Sequence, residues 1–183
     1  DVLSQLEDEH TVISINDRLT ADNAQDQSDA EPLSVFIYCD LSRKVLEKFQ
    51  NLKLIVTRST GFNHIDLDYC KEQNITVCNV PDYGRNTVAE HAFGLLLTIS
   101  HKLRESMDRT RKGDFTQQGL TGFDLAGRTF GVIGTGSIGR EAARMAVGFQ
   151  MNVIAFDIVE NEEAAKEIGY KYVDMDELYS SSD

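Results

Sequence analysis

Gly131-Val132-Ile133-Gly134-Thr135-Gly136-Ser137-Ile138-Gly139-Arg140 is the stretch on which the fold of this chain turns. The run Thr129-Phe130-Gly131-Val132-Ile133 leads straight into glycines spaced GxGxxG at 134, 136 and 139, so a strand feeds a tight turn and a helix leaves it. Gly134 permits the turn, Gly136 leaves the backbone open to close approach, and Gly139 lets the helix pack on the strand. Ala142, Ala143, Ala146 and Val147 then recur at helical spacing, and the helix is expected to end near Gly148. Met151 to Phe156 reads as a second strand, closed by Asp157, 18 residues past Gly139.

Strand, glycine turn, helix, strand and acid in this order form a βαβ half-unit suited to a dinucleotide. Its pyrophosphate would lie against unpaired N–H groups at the positive end of the helix dipole. Asp157 falls close to the ~20-residue spacing of the acid that accepts from the adenosine ribose hydroxyls. Its charge would repel a 2′-phosphate, which predicts NAD in preference to NADP. The competing reading makes Asp157 the cap of the next helix.

Composition narrows the classes around this motif. A chain of 183 residues accommodates one large domain or two small ones, and 41% hydrophobic residues suffice for soluble cores. The longest aliphatic cluster, Leu95 to Leu97, is far short of the ~18 residues of a membrane helix, so no membrane association is expected. No basic, apolar and small-residue sequence opens the chain, so no secretory signal is expected either. A net charge of −12 argues against a nucleic-acid partner. The basic residues that cluster, Lys102, Arg104, Arg109, Arg111 and Lys112, suit the dipole at the end of a predicted helix. Cys39, Cys70 and Cys78 lack CxxC spacing or nearby histidines, so no metal is expected, and they read as reduced, mostly buried thiols of a cytoplasmic protein.

Along the chain, residues 1–10 resemble a helix tail with Val2, Leu3 and Leu6 on one side, and Thr11 to Ile15 reads as a strand. Residues 21–31 carry Asp22, Asp26, Asp29 and Glu31 without a Lys or Arg, the pattern of solvated loop or weak helix. Strands are predicted at Leu33 to Cys39, Leu52 to Val56 and Ile75 to Val80, with a helix around Val45, Leu46 and Phe49 and another ending near Asn74. Such alternation implies mainly parallel sheets covered on both faces. Thr87-Val88-Ala89-Glu90 has capping-box form, and the helical pattern runs on to Lys112 before Gly113 stops it. That helix would be about 40 Å long at ~1.5 Å per residue, enough to bridge two domains.

Four separated motifs carry a resemblance. Leu54 to Asp66 with Arg58-Ser59-Thr60-Gly61, then Val77 to Tyr83, then Thr87-Val88-Ala89-Glu90-His91, then the glycine turn with Asp157, resemble the D-isomer-specific 2-hydroxyacid dehydrogenases, in particular the D-lactate branch. The likeness covers nearly all of residues 33–183; residues 1–32 match only in expected pattern. It implies an α/β protein: a flavodoxin-like substrate domain, residues 1–92, joined by the long helix to a Rossmann NAD-binding domain, residues 93–183, both incomplete here. It also implies that Thr60 and Gly61 hold a substrate carboxylate through backbone N–H groups and that Tyr83 faces the substrate. Cofactor contacts are expected at Thr87, Val88, Gly134, Thr135, Gly136, Ser137, Ile138, Gly139 and Asp157. Glu90 is read as a capping residue.

The resemblance implies hydride transfer between nicotinamide and C2 of a small 2-hydroxy or 2-keto acid, in a cytoplasmic homodimer. The family's Arg, Glu and His, in that chain order, lie well past the second Rossmann strand, so no catalytic residue is expected before Asp183. His10, His64, His91 and His101 do not occupy the catalytic position; His64, beside the carboxylate-binding turn, comes nearest to a role. A first strand ahead of residue 1 is likewise expected, so the sequence reads as part of a longer protein or as a fragment completed by another chain. The leading pair is D-lactate and pyruvate, with glycerate or glyoxylate, phosphoglycerate, formate and phosphite enzymes on the same fold. Alternatives of other classes are a non-catalytic NAD-sensing module like the corepressors of this architecture, and a fragment that only oligomerises through the 87–112 helix.

Overall fold

Two sets of parallel strands carry the chain, and each is built from the alternation read in the sequence. The computed structural model describes Gln5, Glu7 and residues 10–183. The expected helix tail on Val2, Leu3 and Leu6 lies outside the described residues. The chain divides into two compact units between Tyr83 and Gly84, ahead of the expected 92/93 division, so the helix that follows lies whole in the second.

In the first unit β1 (Pro32–Val35), β2 (Leu54–Thr57) and β3 (Thr76–Cys78) form a parallel sheet in the order β1-β2-β3. Ile55 pairs with Leu33 on one side and Val77 on the other. The helices α1 (Arg43–Leu46) and α2 (Leu67–Glu72) return the chain between strands, and Asp66 caps α2 by accepting the Tyr69 N–H at 2.9 Å. Leu41, Val45, Leu46, Ile55 and Cys70 are fully or almost fully buried at the centre. Burial of such side chains stabilises by about 1.5–3 kcal/mol each relative to exposure.

Two expectations in this unit are corrected, for Thr11 to Ile15 and for the thiols. Thr11 to Ile15 forms no ladder; Ile13 and Ile15 are exposed, because an alternating segment needs a neighbouring strand and none of the described strands pairs with it. The acidic stretch 21–31 is a loop with a short 3-10 turn at Ala24–Gln27 and Asp22, Asp26, Asp29 and Glu31 exposed, as read; the turn buries Ala24 completely, and the Lys48 ammonium donates to the Ala21 carbonyl. Of the three thiols only Cys70 is buried, since Cys78 ends β3 at the sheet edge and is exposed; all three are free.

In the second unit β4 (Thr129–Ile133), β5 (Asn152–Phe156) and β6 (Lys171–Tyr172) form a parallel sheet in the order β4-β5-β6. Its helices are α3 (Arg85–Ser100), α4 (Leu103–Arg111), α5 (Ser137–Gly148), α6 (Glu162–Ile168) and α7 (Met175–Ser181). Ala143 and Ala146 of α5 are completely buried in one cluster with Val132, Val153 and Ala155 of the sheet and Phe93 of α3. Phe93 stacks on Phe149, centroids 5.3 Å apart and planes within 4°. These alanines are the small contacts read at helical spacing after the glycine turn.

The predicted single helix from Thr87 to Lys112 is two helices. α3 begins earlier, at Arg85 with Gly84 as N-cap, so Thr87 and Glu90 lie inside it and form no capping box. It ends at Ser100, and Lys102 adopts a left-handed conformation (φ +49°) before α4. The cause is non-local. Phe123 N–H donates to the buried Ser100 carbonyl at 2.9 Å, and a Cβ on Gly122 would lie 1.9 Å from the same oxygen. The loop around residue 122 thus docks onto the helix terminus and takes the acceptor that a continuing helix would use. The basic cluster holds another loop: Arg109 donates to the Thr116 and Gln118 carbonyls, and Lys102 to that of Gly119 at 3.0 Å.

Candidate functional site

The glycine turn joins β4 to α5, and its geometry is set by backbone groups. Gly134 N–H donates to the Phe156 carbonyl at 2.8 Å, which clamps the turn to the end of β5. Gly134 takes φ +89°, a left-handed value that suits glycine. Gly136 is the N-cap of α5 at φ −64°, ψ −170°, and no side chain caps the helix. A Cβ on Gly136 would meet nothing within 4 Å, whereas one on Gly139 would lie 1.9 Å from the Gly134 carbonyl oxygen and 3.3 Å from Val132 Cγ1. The space left at Gly136 belongs to a cleft of about 400 Å³ lined by β4 residues Val132 and Ile133 and the turn up to Gly139. The uncapped first turn of a 12-residue helix gives this cleft a positive partial charge and N–H donors, the requirements for a phosphate.

Asp157 stands where β5 ends, and the turn has already taken hold of it. Its Oδ2 accepts the Thr135 N–H at 2.6 Å and the Thr135 hydroxyl at 2.9 Å, while Oδ1 accepts the Val159 N–H at 3.2 Å. These donors, the Thr135 N–H first, hold the carboxyl below its ordinary range, so it is ionised at neutral pH. It does not cap the next helix: Asn161 does, accepting the Ala164 N–H at 2.9 Å. Thr135 itself is buried, and its hydroxyl oxygen lies 2.7 Å from the Tyr172 hydroxyl. Sequence reasoning missed Tyr172. The available signal was the Tyr170-x-Tyr172 pair on a strand whose register sets Tyr172 against Ala155, two residues before Asp157.

In the first unit the turn after β2 is bolted to the end of β3. The Thr60 hydroxyl donates to the Val80 carbonyl at 3.0 Å, the Asn79 amide to the Thr60 carbonyl at 2.9 Å, and the Val80 N–H to the Ser59 carbonyl at 3.0 Å. Beneath it, buried Thr57 and Ser59 share a 2.6 Å hydroxyl contact, and Ser59 donates on to the Gly61 carbonyl at 2.7 Å. Among the described residues the Thr60 and Gly61 N–H groups meet no acceptor, and a Cβ on Gly61 would meet nothing within 4 Å. The turn is therefore rigid behind and open in front, with two donors presented to an anion.

The remaining expected residues fall as follows. Tyr83, at the end of the first unit, is 62% exposed, and Thr87 and Val88 are exposed in the first turns of α3 in the second. His91 is exposed within α3 and His101 is its C-cap. His64 is half-buried with Nε2 3.5 Å from the Thr57 hydroxyl, and burial lowers its pKa. Among the described residues no group of three or more His, Cys, Asp or Glu side chains is placed to hold a metal, and no helix is long and apolar enough to cross a membrane.

Parallel α/β units, one of them a βαβ with an uncapped glycine turn and an acid at the end of its second strand, define a class of nucleotide-binding architecture. The chain belongs to the D-isomer-specific 2-hydroxyacid dehydrogenase family, whose catalytic-domain pattern matches residues 1–175. It is 42% identical over 167 residues to D-lactate dehydrogenase of Escherichia coli K12, covering 90% of this chain and 50% of that protein. A 2-hydroxyacid dehydrogenase homolog of Haemophilus influenzae is 43% identical over 154 residues, 83% of this chain and 46% of that one. The crystal structure of Aquifex aeolicus D-lactate dehydrogenase complexed with NAD and lactic acid matches with a TM-score of 0.82 at 43% identity, over 87% of this chain and 48% of the other. The chain thus spans about half the length of the relatives it matches.

Proposed function

We propose that the protein containing this chain is an NAD-dependent oxidoreductase of D-2-hydroxy acids, acting on D-lactate and pyruvate. The observation that carries the reading is the juxtaposition of the open, uncapped turn at Gly136 with the ionised Asp157 that the same turn holds. The residues fit the cofactor. The N–H groups at Gly136, Ser137, Ile138 and Gly139 would hold its pyrophosphate, helped by the dipole of α5, and Asp157 would accept from the adenosine ribose. Gly134 and Thr135 shape the turn, and Thr87 and Val88 would line the nicotinamide end.

When bound, the nicotinamide supplies or takes the hydride exchanged with C2 of the substrate. This chain's share of the chemistry is orientation. Thr60 and Gly61 would bind the substrate carboxylate through two N–H donors on a turn that Val80 and Asn79 keep from shifting, and Tyr83 would cover the substrate. The Arg that polarises the carbonyl and the His–Glu pair that moves the proton in this family are not assigned to any residue of this chain. A negative charge at Asp157 also favours NAD over NADP, because a 2′-phosphate would meet a carboxylate already ionised.

A homodimer and a cytoplasmic location belong to the same proposal. Val88, Leu95 and Ile99 of α3 and Leu103 and Met107 of α4 are apolar and exposed, a surface that a second copy would bury. The free thiols suit a reducing compartment. The test is the absorbance of NADH with the full-length protein and 2-keto acids: pyruvate should be reduced to D-lactate as NADH is oxidised to NAD. Tight NADH binding without turnover of any 2-keto acid would favour a sensing module instead.

A further inference from the structure

Four hydroxyl-bearing and acidic side chains converge behind the turn, and their proton directions can be worked out. Asp157 is ionised and so only accepts; the single hydroxyl proton of Thr135 therefore goes to Asp157 Oδ2. Thr135 Oγ1 must then accept the proton of the Tyr172 hydroxyl, 2.7 Å away. With that proton committed, the Tyr172 oxygen acts as acceptor, toward the Asn161 N–H at 3.0 Å and the Tyr170 hydroxyl at 3.3 Å. The result is a one-way chain, Tyr170 to Tyr172 to Thr135 to Asp157, with every hydroxyl proton aimed at the carboxylate. Tyr170 and Thr135 are buried, and the two tyrosine rings meet edge to face at 5.4 Å, which fixes both hydroxyls.

The chain of donors also decides which oxygen of Asp157 is free. Oδ2 takes two hydrogen bonds from Thr135, and Oδ1 takes one from Val159. A carboxylate oxygen offers two lone-pair sites and Thr135 fills both on Oδ2, so the oxygen left to a ligand is Oδ1, with the Ile158 N–H also lying against the carboxylate. We propose that Tyr172 is a positioning residue: through Thr135 it holds Asp157 in the one rotamer that presents Oδ1 to a ribose hydroxyl, and so sets affinity for NADH and discrimination against NADPH. This rests on the reading of the glycine turn as a dinucleotide site. Burial and the bond to Tyr172 push the Tyr170 phenol up to about 12, whereas at Tyr172 burial, which raises the pKa, is outweighed by its hydrogen bonds with Thr135, Tyr170 and Asn161, which lower it.

A double-mutant cycle in the full-length protein tests the proposal, with NADH and NADPH dissociation constants read by fluorescence titration. Tyr172→Phe should weaken NADH about fivefold, the scale of one lost hydrogen bond, and leave NADPH unchanged, so discrimination shrinks. In an Asp157→Asn background the same replacement should change NADH affinity by less than about twofold, because the group it acts through is gone. Thr135→Val, which removes the hydroxyl that bonds Asp157 directly, should weaken NADH at least as much as Tyr172→Phe, and Thr135→Ser, which keeps that hydroxyl, should recover most of the loss, so the outcome does not hang on one variant's folding. Equal effects of Tyr172→Phe with and without Asp157, or none on NADH at all, overturn the positioning role. Failure of the wild-type protein to bind NADH instead overturns the cofactor reading itself.

Discussion

Alanine at Gly136 and alanine at Gly139 add the same methyl group three residues apart and should have opposite consequences. At Gly139 the new Cβ would lie 1.9 Å from the Gly134 carbonyl oxygen and 3.0 Å from its carbon, both backbone atoms, so the clash cannot be relieved by rotating a side chain. Ordinary contact requires about 1.5 Å of movement between the start of α5 and the turn, an overpacking of the kind that costs about 1–3 kcal/mol. For a unit of roughly 100 residues that lowers the melting temperature by about 5–20 °C. At Gly136 the φ of −64° and ψ of −170° suit any residue and the Cβ points into open space. Gly136→Ala should therefore keep or slightly raise stability, by up to about 1 kcal/mol through the unfolded chain. Its methyl would stand where the pyrophosphate approaches, so NADH affinity should fall at least about tenfold, or 1.4 kcal/mol. Thermal melts followed by circular dichroism, paired with NADH titrations of the full-length protein, separate the two. A Gly136→Ala variant that binds NADH like wild type, or a Gly139→Ala variant that melts like wild type, would refute the reasoning.

Asp157→Asn should bring the NADH and NADPH dissociation constants within about threefold of each other, chiefly by weakening NADH, since one charge and one preferred acceptor are lost; a titration that leaves the preference intact removes Asp157 from the site. Replacing Leu95 and Ile99 together by glutamate should shift the full-length protein toward monomer in sedimentation velocity, because two charges cannot be buried on a self-contact without partners. His64, its pKa lowered by burial, binds its proton later than it would in the unfolded chain as pH falls; stability should therefore decline from about pH 7 to pH 5, and His64→Gln should flatten that slope in urea melts.

How far the sequence was legible depended on whether the deciding contact was local. β4, the glycine turn, α5, β5 and Asp157 follow from neighbours within a few residues, and the structure places them as read. The break after Ser100 was hidden because Ile99, Leu103 and Met107 continue a helical rhythm, while the stop comes from Gly122 and Phe123, more than twenty residues on. Thr11 to Ile15 has the alternation of a strand, but alternation does not supply a partner. The N–H pair at Thr60 and Gly61 was marked by the resemblance and not by the glycine alone, and the Asn79 and Val80 clamps that stiffen the turn lie about twenty residues away. Tyr172 escaped for the same reason: a Tyr-x-Tyr pair looks like ordinary strand packing until the register of β5 and β6 brings it to Thr135, 37 residues earlier in the chain.

On this reading the turn from Gly134 to Gly139 and Asp157 together grip a dinucleotide. A crystal structure of the full-length protein grown with NAD tests it most directly. It should show phosphate oxygens within hydrogen-bond reach of the N–H groups at the start of α5, and a ribose hydroxyl on Asp157 Oδ1 while Oδ2 stays with Thr135. A dinucleotide bound elsewhere with this turn vacant, or bound here with its ribose turned away from Asp157, would contradict the account.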